Sequence, residues 1–233
     1  MATGNLKTAA NRVKVAKDVL AQINSNMLKP EHQIYVHLNK TIEVTDDNNM
    51  GDKQLCNVLD GMKCSVCARG AMFVAAVKRF NDYKINDLTY SVDYHEELSS
   101  VDSEDISDYE EQFFEDHQLA LIEGSFEGEE IGRAQDFYGT VSALIDNDEG
   151  QYAIFKTILE ESKWDEGKLL SITHNYLGKS AKSRMIAIMK NIIANKGDFV
   201  IPLEVFQKML KGTPEASMAP YMYEQFKKLF SSN

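Results

Sequence analysis

Between Ile85 and Gly132 the chain has neither lysine nor arginine. The scarcity is local, because the full 233 residues carry 25 Lys/Arg against 36 Asp/Glu, for a net charge of −11. Residues 85–132 contribute sixteen acids, whereas 1–84 sum to +4 and 133–233 to +1. A nearly balanced scaffold thus carries one segment of −16. Charge of that sign disfavours direct nucleic-acid binding and binding to anionic membranes. Long apolar runs are also missing: the longest, Ala71–Val77, is far too short to span a bilayer. The start, MATGNLKTAANRVK, has no apolar leader, and three cysteines are too few and too odd in number for a disulfide scaffold. Together they point to a reducing, cytoplasmic setting.

The recurring motifs of catalysis are equally scarce. There is no GxSxG, HExxH or dinucleotide-binding glycine fingerprint. Gly178-Lys179-Ser180 has Thr173 where a phosphate loop needs its first glycine, so Ser180 or Ser183 reads as a helix N-cap. Asp148 with Glu161-Ser162-Lys163 matches a metal-dependent nuclease pattern in composition, but falls in a segment of helical periodicity. The turns at Asp46 and Asp146 lack the Ca²⁺-loop ligands, and Asp93-Tyr94-His95-Glu96 lacks companions for a metal site. Cys56, Cys64 and Cys67 are the remaining metal candidates. One CxxC plus one upstream cysteine falls short of the paired knuckles of a zinc site, so packing is the expected role and no cofactor is expected.

What is present reads as helix. Leu6–Asn24 is amphipathic, with Leu6, Ala9, Val13, Ala16, Leu20 and Ile23 inward. Met62–Tyr83 is apolar on nearly every side, the pattern of a surrounded helix. Further helices are expected over Lys53–Leu59, Ala134–Ile145, Gln151–Trp164, Lys182–Asn195, Leu203–Lys211 and Pro220–Phe230. Ile34–Leu38 is the best strand. The expected fold is mainly α: a compact helical domain around a buried central helix, with a minor β ribbon or hairpin. Composition divides it into 1–84, an acidic segment 85–132 with an amphipathic helix, and C-terminal helices 133–233 that share the core of 1–84.

The acidic segment is not a solvated tail, since Ile106, Tyr109, Phe113, Phe114, Leu121 and Phe126 give it an apolar face. One helix over Ser103–Glu123 places Glu104, Asp108, Glu111 and Glu115 on the opposite face. Such like-charge spacing costs about 1 kcal/mol in all. The candidate partner-binding residues are Asp102, Glu104, Asp105, Asp108, Glu110, Glu111, Glu115 and Asp116. As a helix these eight give one charge per roughly 2.8 Å, against about 1.7 Å of axis per phosphate in duplex DNA. The implied role is a non-enzymatic interaction protein that meets a basic protein surface, as a partial polyanion mimic. Two alternatives stand beside it. In one, the acids are neutralised internally by Lys7, Arg12, Lys14 and Lys17 or serve solubility. In the other, a metal-dependent enzyme acts on nucleotides or nucleic acid.

Three stretches resemble a family of uncharacterised phage and prophage accessory proteins. They are Val13-Lys-Val-Ala-Lys-Asp-Val-Leu-Ala-Gln22, Cys64-Ser-Val-Cys-Ala-Arg-Gly-Ala-Met-Phe73, and Met185-Ile-Ala-Ile-Met-Lys-Asn-Ile-Ile-Ala-Asn195 with Gly197. They cover about a sixth of the chain, in order, and leave the acidic segment unmatched. The resemblance brings no catalytic residues. It implies a phage-encoded protein in a bacterial cytoplasm, whose partner is a host nucleic-acid-binding or defence protein.

Overall fold

The computed structural model describes residues 6–44, 50–81, 83–88, 97–128 and 166–231, together with the helical positions Ala153 and Lys156. The helices expected over Ala134–Ile145 and Gln151–Trp164 lie outside the described residues, apart from those two positions, as do Asp46, Asp93, His95, Asp146, Asp148 and Glu161-Ser162-Lys163. The described chain is mainly α with one small mixed sheet. Its helices are α1 Ala9–Asn24, α2 Leu55–Leu59, α3 Ala68–Phe80, α4 Ser103–Glu110 and α5 Asp116–Glu127, followed by α6 Glu166–Leu177, α7 Ala181–Ala194, α8 Leu203–Met209 and α9 Ala219–Leu229. Its strands are β1 Leu28–Pro30, β2 Val36–Glu43, β3 Cys64–Val66 and β4 Glu97–Val101, in the order β1-β3-β2-β4. No helix among the described residues is long and apolar enough to cross a membrane.

Thr8 caps α1, its hydroxyl accepting from the Asn11 N–H at 3.2 Å. The buried face is Arg12, Val15, Ala16, Val19 and Ile23, rotated from the expected one so that Ala9 is exposed and Val13 half-buried. Arg12 causes the rotation. Its Nε donates to Gly197 O at 3.0 Å, Nη1 to Phe113 O at 3.4 Å, and Nη2 to Asp198 at 3.1 Å. A guanidinium with three acceptors is satisfied indoors, so hydrophobicity alone misplaces the face.

The long helix expected over Met62–Tyr83 begins only at Ala68. Cys64–Val66 instead forms β3, wedged between β1, with which it runs parallel, and β2, with which it runs antiparallel. Both edges of this three-residue strand are thus paired, which outweighs its apolar, helix-compatible composition. Cys67 then caps α3, its sulfur accepting from the Gly70 N–H, and Asn81 ends the helix in the left-handed conformation. Gly70 is required where it stands, because a Cβ there would lie 1.5 Å from Tyr35 O. Residues Gly70–Val77 are all buried, and α1, α2, α4, α5 and strands β1, β2 and β3 pack around α3.

The expected single helix over Ser103–Glu123 is also two. After Glu110 the N–H groups of Phe113 and Phe114 both return to Glu110 O, and α5 starts afresh after Glu115. Phe113 and Phe114 are consecutive yet both 1% exposed, and a continuous helix would set them about 100° apart. The break lets both rings enter the core. Expected as a ribbon or hairpin, the β element has four strands. Of these β4 lies inside the acidic segment, where the buried Leu98 and Val101 stand three residues apart and give no period-2 pattern to read from sequence.

The core is continuous through residues of 1–84, 97–128 and 166–231. Gln118, fully buried, stitches it: its Nε2 donates to Phe199 O and Phe230 O, and its Oε1 accepts from Phe199 N at 2.7 Å. At the other junction, Ser180 and Ser183 form a reciprocal cap on α7, as expected, and Leu169–Ile172 lies within α6.

Candidate functional site

The acidic helix α4 begins with Asp102, whose carboxylate accepts from the Asp105 N–H at 3.4 Å. Burial raises Asp102 above the ordinary carboxylate range, and the neighbouring Asp105 and Glu104 charges add to it. From there the helical period sorts the acids. Glu104, Asp108 and Glu111 follow one another on the outer side and are exposed, as is Asp116 at the start of α5. Among the described residues no Lys, Arg or His forms an ion pair with any of these four.

The remaining candidates are placed differently. Asp105 and Glu110 are each 2% exposed and therefore do not belong to that face. Their helical positions share the inner side with Ile106 and Tyr109. Asp102 and Glu115 are half-buried, and Glu115 pairs with Lys7 at 2.8 Å. Only half of the eight carboxylates are thus exposed, which lowers the density to one charge per roughly 5.6 Å of helix.

Inside, Arg69 from α3 answers the buried acids. Its Nε donates to Glu110 Oε2 at 2.8 Å, Nη1 to Glu123 Oε2 at 3.3 Å, and Nη2 to Ser107 Oγ at 2.8 Å. Burial nevertheless pushes the Glu110 carboxyl up to about 7, against the lowering effect of Arg69, and leaves Glu110 Oε1 buried with no hydrogen-bond partner. Tyr83 is pushed up to about 12, first by burial and then by Asp105, Asp87 and Asp108. Internal compensation is therefore present, but its main agent is Arg69. Among the described residues, Lys7 is the one N-terminal base paired with an acid of this segment, while Arg12 serves Asp198 and Lys14 bonds Asn11.

Cys56, Cys64 and Cys67 are buried thiols, and the Cys56 sulfur contacts Asn57 and Asn81 Oδ1. Burial pushes Cys64 up to about 11 and Cys67 up to about 12, so both stay protonated at neutral pH. Cys56 lies in α2, within the short helix expected over Lys53–Leu59, whereas Cys64 and Cys67, both expected inside the Met62–Tyr83 helix, lie in β3 and at the cap of α3. Among the described residues no group of three or more His, Cys, Asp and Glu side chains converges to hold a metal.

A second polar network had no signal in the sequence, because it joins residues of four separate elements. His32 Nδ1 lies 3.0 Å from Glu127 Oε2, Glu127 also accepts from the Gln33 N–H, and Arg184 contacts His32 Nε2. A guanidinium only donates, so Nε2 is the acceptor and the ring proton sits on Nδ1, facing Glu127. Gln33 holds φ at 61°, which aims its N–H at the carboxylate, and Arg184 continues to Gly178 O at 2.7 Å. Burial raises Glu127 in spite of these donors and lowers Arg184. Both imidazole nitrogens are occupied. The network therefore ties the β1–β2 connection to the end of α5 and the start of α7, and offers no free base.

Comparison of the chain with family models, with curated proteins and with solved structures finds no match.

Proposed function

We propose that this is a non-enzymatic interaction protein which presents the outer face of α4 and the following turn to a basic protein surface. The observation that carries the reading is the sorting of the acids. Glu104, Asp108, Glu111 and Asp116 remain exposed and form no ion pair among the described residues, while their inner neighbours are absorbed. In the context implied by the sequence resemblance, the protein is phage-encoded, and its partner is a host nucleic-acid-binding or defence protein in the bacterial cytoplasm. The halved charge density favours a compact acidic contact over a replica of duplex DNA. In this reading α3 is the buried helix around which the domain is organised, and the paired inner acids fix the orientation of α4.

The internally compensated alternative draws support from Arg69, which engages two buried carboxylates at once. It accounts for the inner acids but leaves the outer four unexplained. Affinity capture from a bacterial lysate at low and high salt separates the two readings. The wild type is compared with a Glu104→Gln, Asp108→Asn, Glu111→Gln, Asp116→Asn variant. Salt-sensitive capture of a basic protein that duplex DNA displaces, lost in the variant, is the expected result. Retention of the same protein by the variant refutes the reading.

A further inference from the structure

The strands carry a feature of opposite sign to the acidic face. Alternation along β1, β3 and β2 places Lys29, Ser65 and His37 in one row across the sheet, as the register pairs Lys29 with Ser65 and His37 with Ser65. One pleat further along, Met27, Lys63 and Asn39 form a second row on the same face. Cys64 N donates to Met27 O, and Asn39 N donates to Lys63 O. Lys182, from the first turn of α7, joins these residues, and together with Asn26, Leu28, Pro30 and Cys64 they line a cavity of about 400 Å³. That volume lies within the range of small-molecule sites.

Among the described residues no Asp or Glu lines this cavity. Glu31, just outside it, is bound by Lys29 and Ser65 and so cancels Lys29. The ammonium groups of Lys63 and Lys182 are left without an ion-pair partner among the described residues. Lys182 is also placed against the helix dipole: the first turn of α7 contains no acid, although an anion is what that end favours. A bound anion reverses both penalties. Two ammonium groups and the neutral amide groups of Asn39 and Asn26 match a dianion in charge and hydrogen bonding. Met27 adds apolar surface on this face, and the space far exceeds the need of a bare phosphate.

The geometry points to a binding site for a small phosphomonoester, its phosphate held between Lys63 and Lys182 and its apolar body against Met27. This site is separate from the acidic face and does not depend on it. The test is a nuclear magnetic resonance titration of the full chain with phenyl phosphate, inorganic phosphate and benzyl alcohol. Phenyl phosphate is expected to give saturable shifts centred on Asn39, Lys63, Ser65 and Lys182. Inorganic phosphate is expected to compete more weakly, and benzyl alcohol to leave these signals unmoved. Lys63→Gln combined with Lys182→Gln, both exposed positions, lowers the affinity by about a hundredfold, or about tenfold per lost charged contact. The outer-face acid variant binds phenyl phosphate as the wild type does. Absence of saturable shifts at millimolar phenyl phosphate, undiminished binding by the double variant, or equal binding of benzyl alcohol overturns the assignment.

Discussion

The outer and inner sides of α4 carry the same kind of residue under opposite conditions. Outside, Glu104, Asp108 and Glu111 are solvated and repel one another only weakly. Inside, Glu110 and, from α5, Glu123 are stripped of water and share the single guanidinium of Arg69. The difference teaches that net charge per segment says little until each carboxylate is assigned a side. Water screens the outer acids at small cost, whereas Glu110 and Glu123 are both held by one guanidinium from another helix.

The largest break in that contrast is Arg69→Ala. It removes the shared partner of two buried carboxylates and is expected to destabilise the fold by about 3 kcal/mol in chemical denaturation at neutral pH. The cost shrinks at pH 5, where Glu110 is protonated and needs no counter-charge. A cost independent of pH excludes Glu110 as its source.

Glu110 alone supplies the next effect. Its carboxyl is raised by burial from 4.5 to about 7, so the folded state holds its proton more tightly than the unfolded state does. The stability linked to Glu110 is therefore full below pH about 4.5 and is lost as pH rises through about 7. Denaturation midpoints of the wild type should fall across that window, and Glu110→Gln should flatten the slope. An unchanged slope in the variant contradicts the inner placement.

Changing the outer four acids to their amides tests the other half of the contrast. Stability should move by no more than about 0.5 kcal/mol, because relief of like-charge repulsion along the surface is offset by the loss of Glu104 and Asp116 charge from the first turns of α4 and α5. Thermal melts at low salt measure this, and a large loss places those acids in the core. The smallest effect is expected at the seam between the two sides. Lys7→Gln removes a partly exposed pair with Glu115 and should cost about 0.5 kcal/mol or less, vanishing in high salt.

Much of the helical framework was legible because its signals are local. Ser180 and Ser183 announce the start of α7, and Asn195-Lys196-Gly197 its end, where Gly197 takes φ of 117° and its N–H closes on Ile192 O. The exposed acid row was legible for the same reason, since i, i+4, i+7 spacing is a property of one helix. The misses are non-local. β3 forms only because two strands from elsewhere flank it, and α4 ends because both Phe113 and Phe114 have places in a core built by other segments. Arg69 pairs across 41 and 54 residues, and no spacing rule connects it to Glu110 or Glu123.

Gln118 has a consequence in time. Its amide sits in the acidic segment yet is satisfied by backbone groups 81 and 112 residues further along, the second being Phe230 near the end of the chain. During synthesis α5 emerges long before those partners exist, so the Gln118 amide stays unsatisfied until they arrive, although the apolar side of α5 can already pack on α3. The acidic segment therefore locks into place only after Phe199 and Phe230 have been made. A nascent chain stopped short of Phe230 would carry this segment in a loosened, protease-sensitive form.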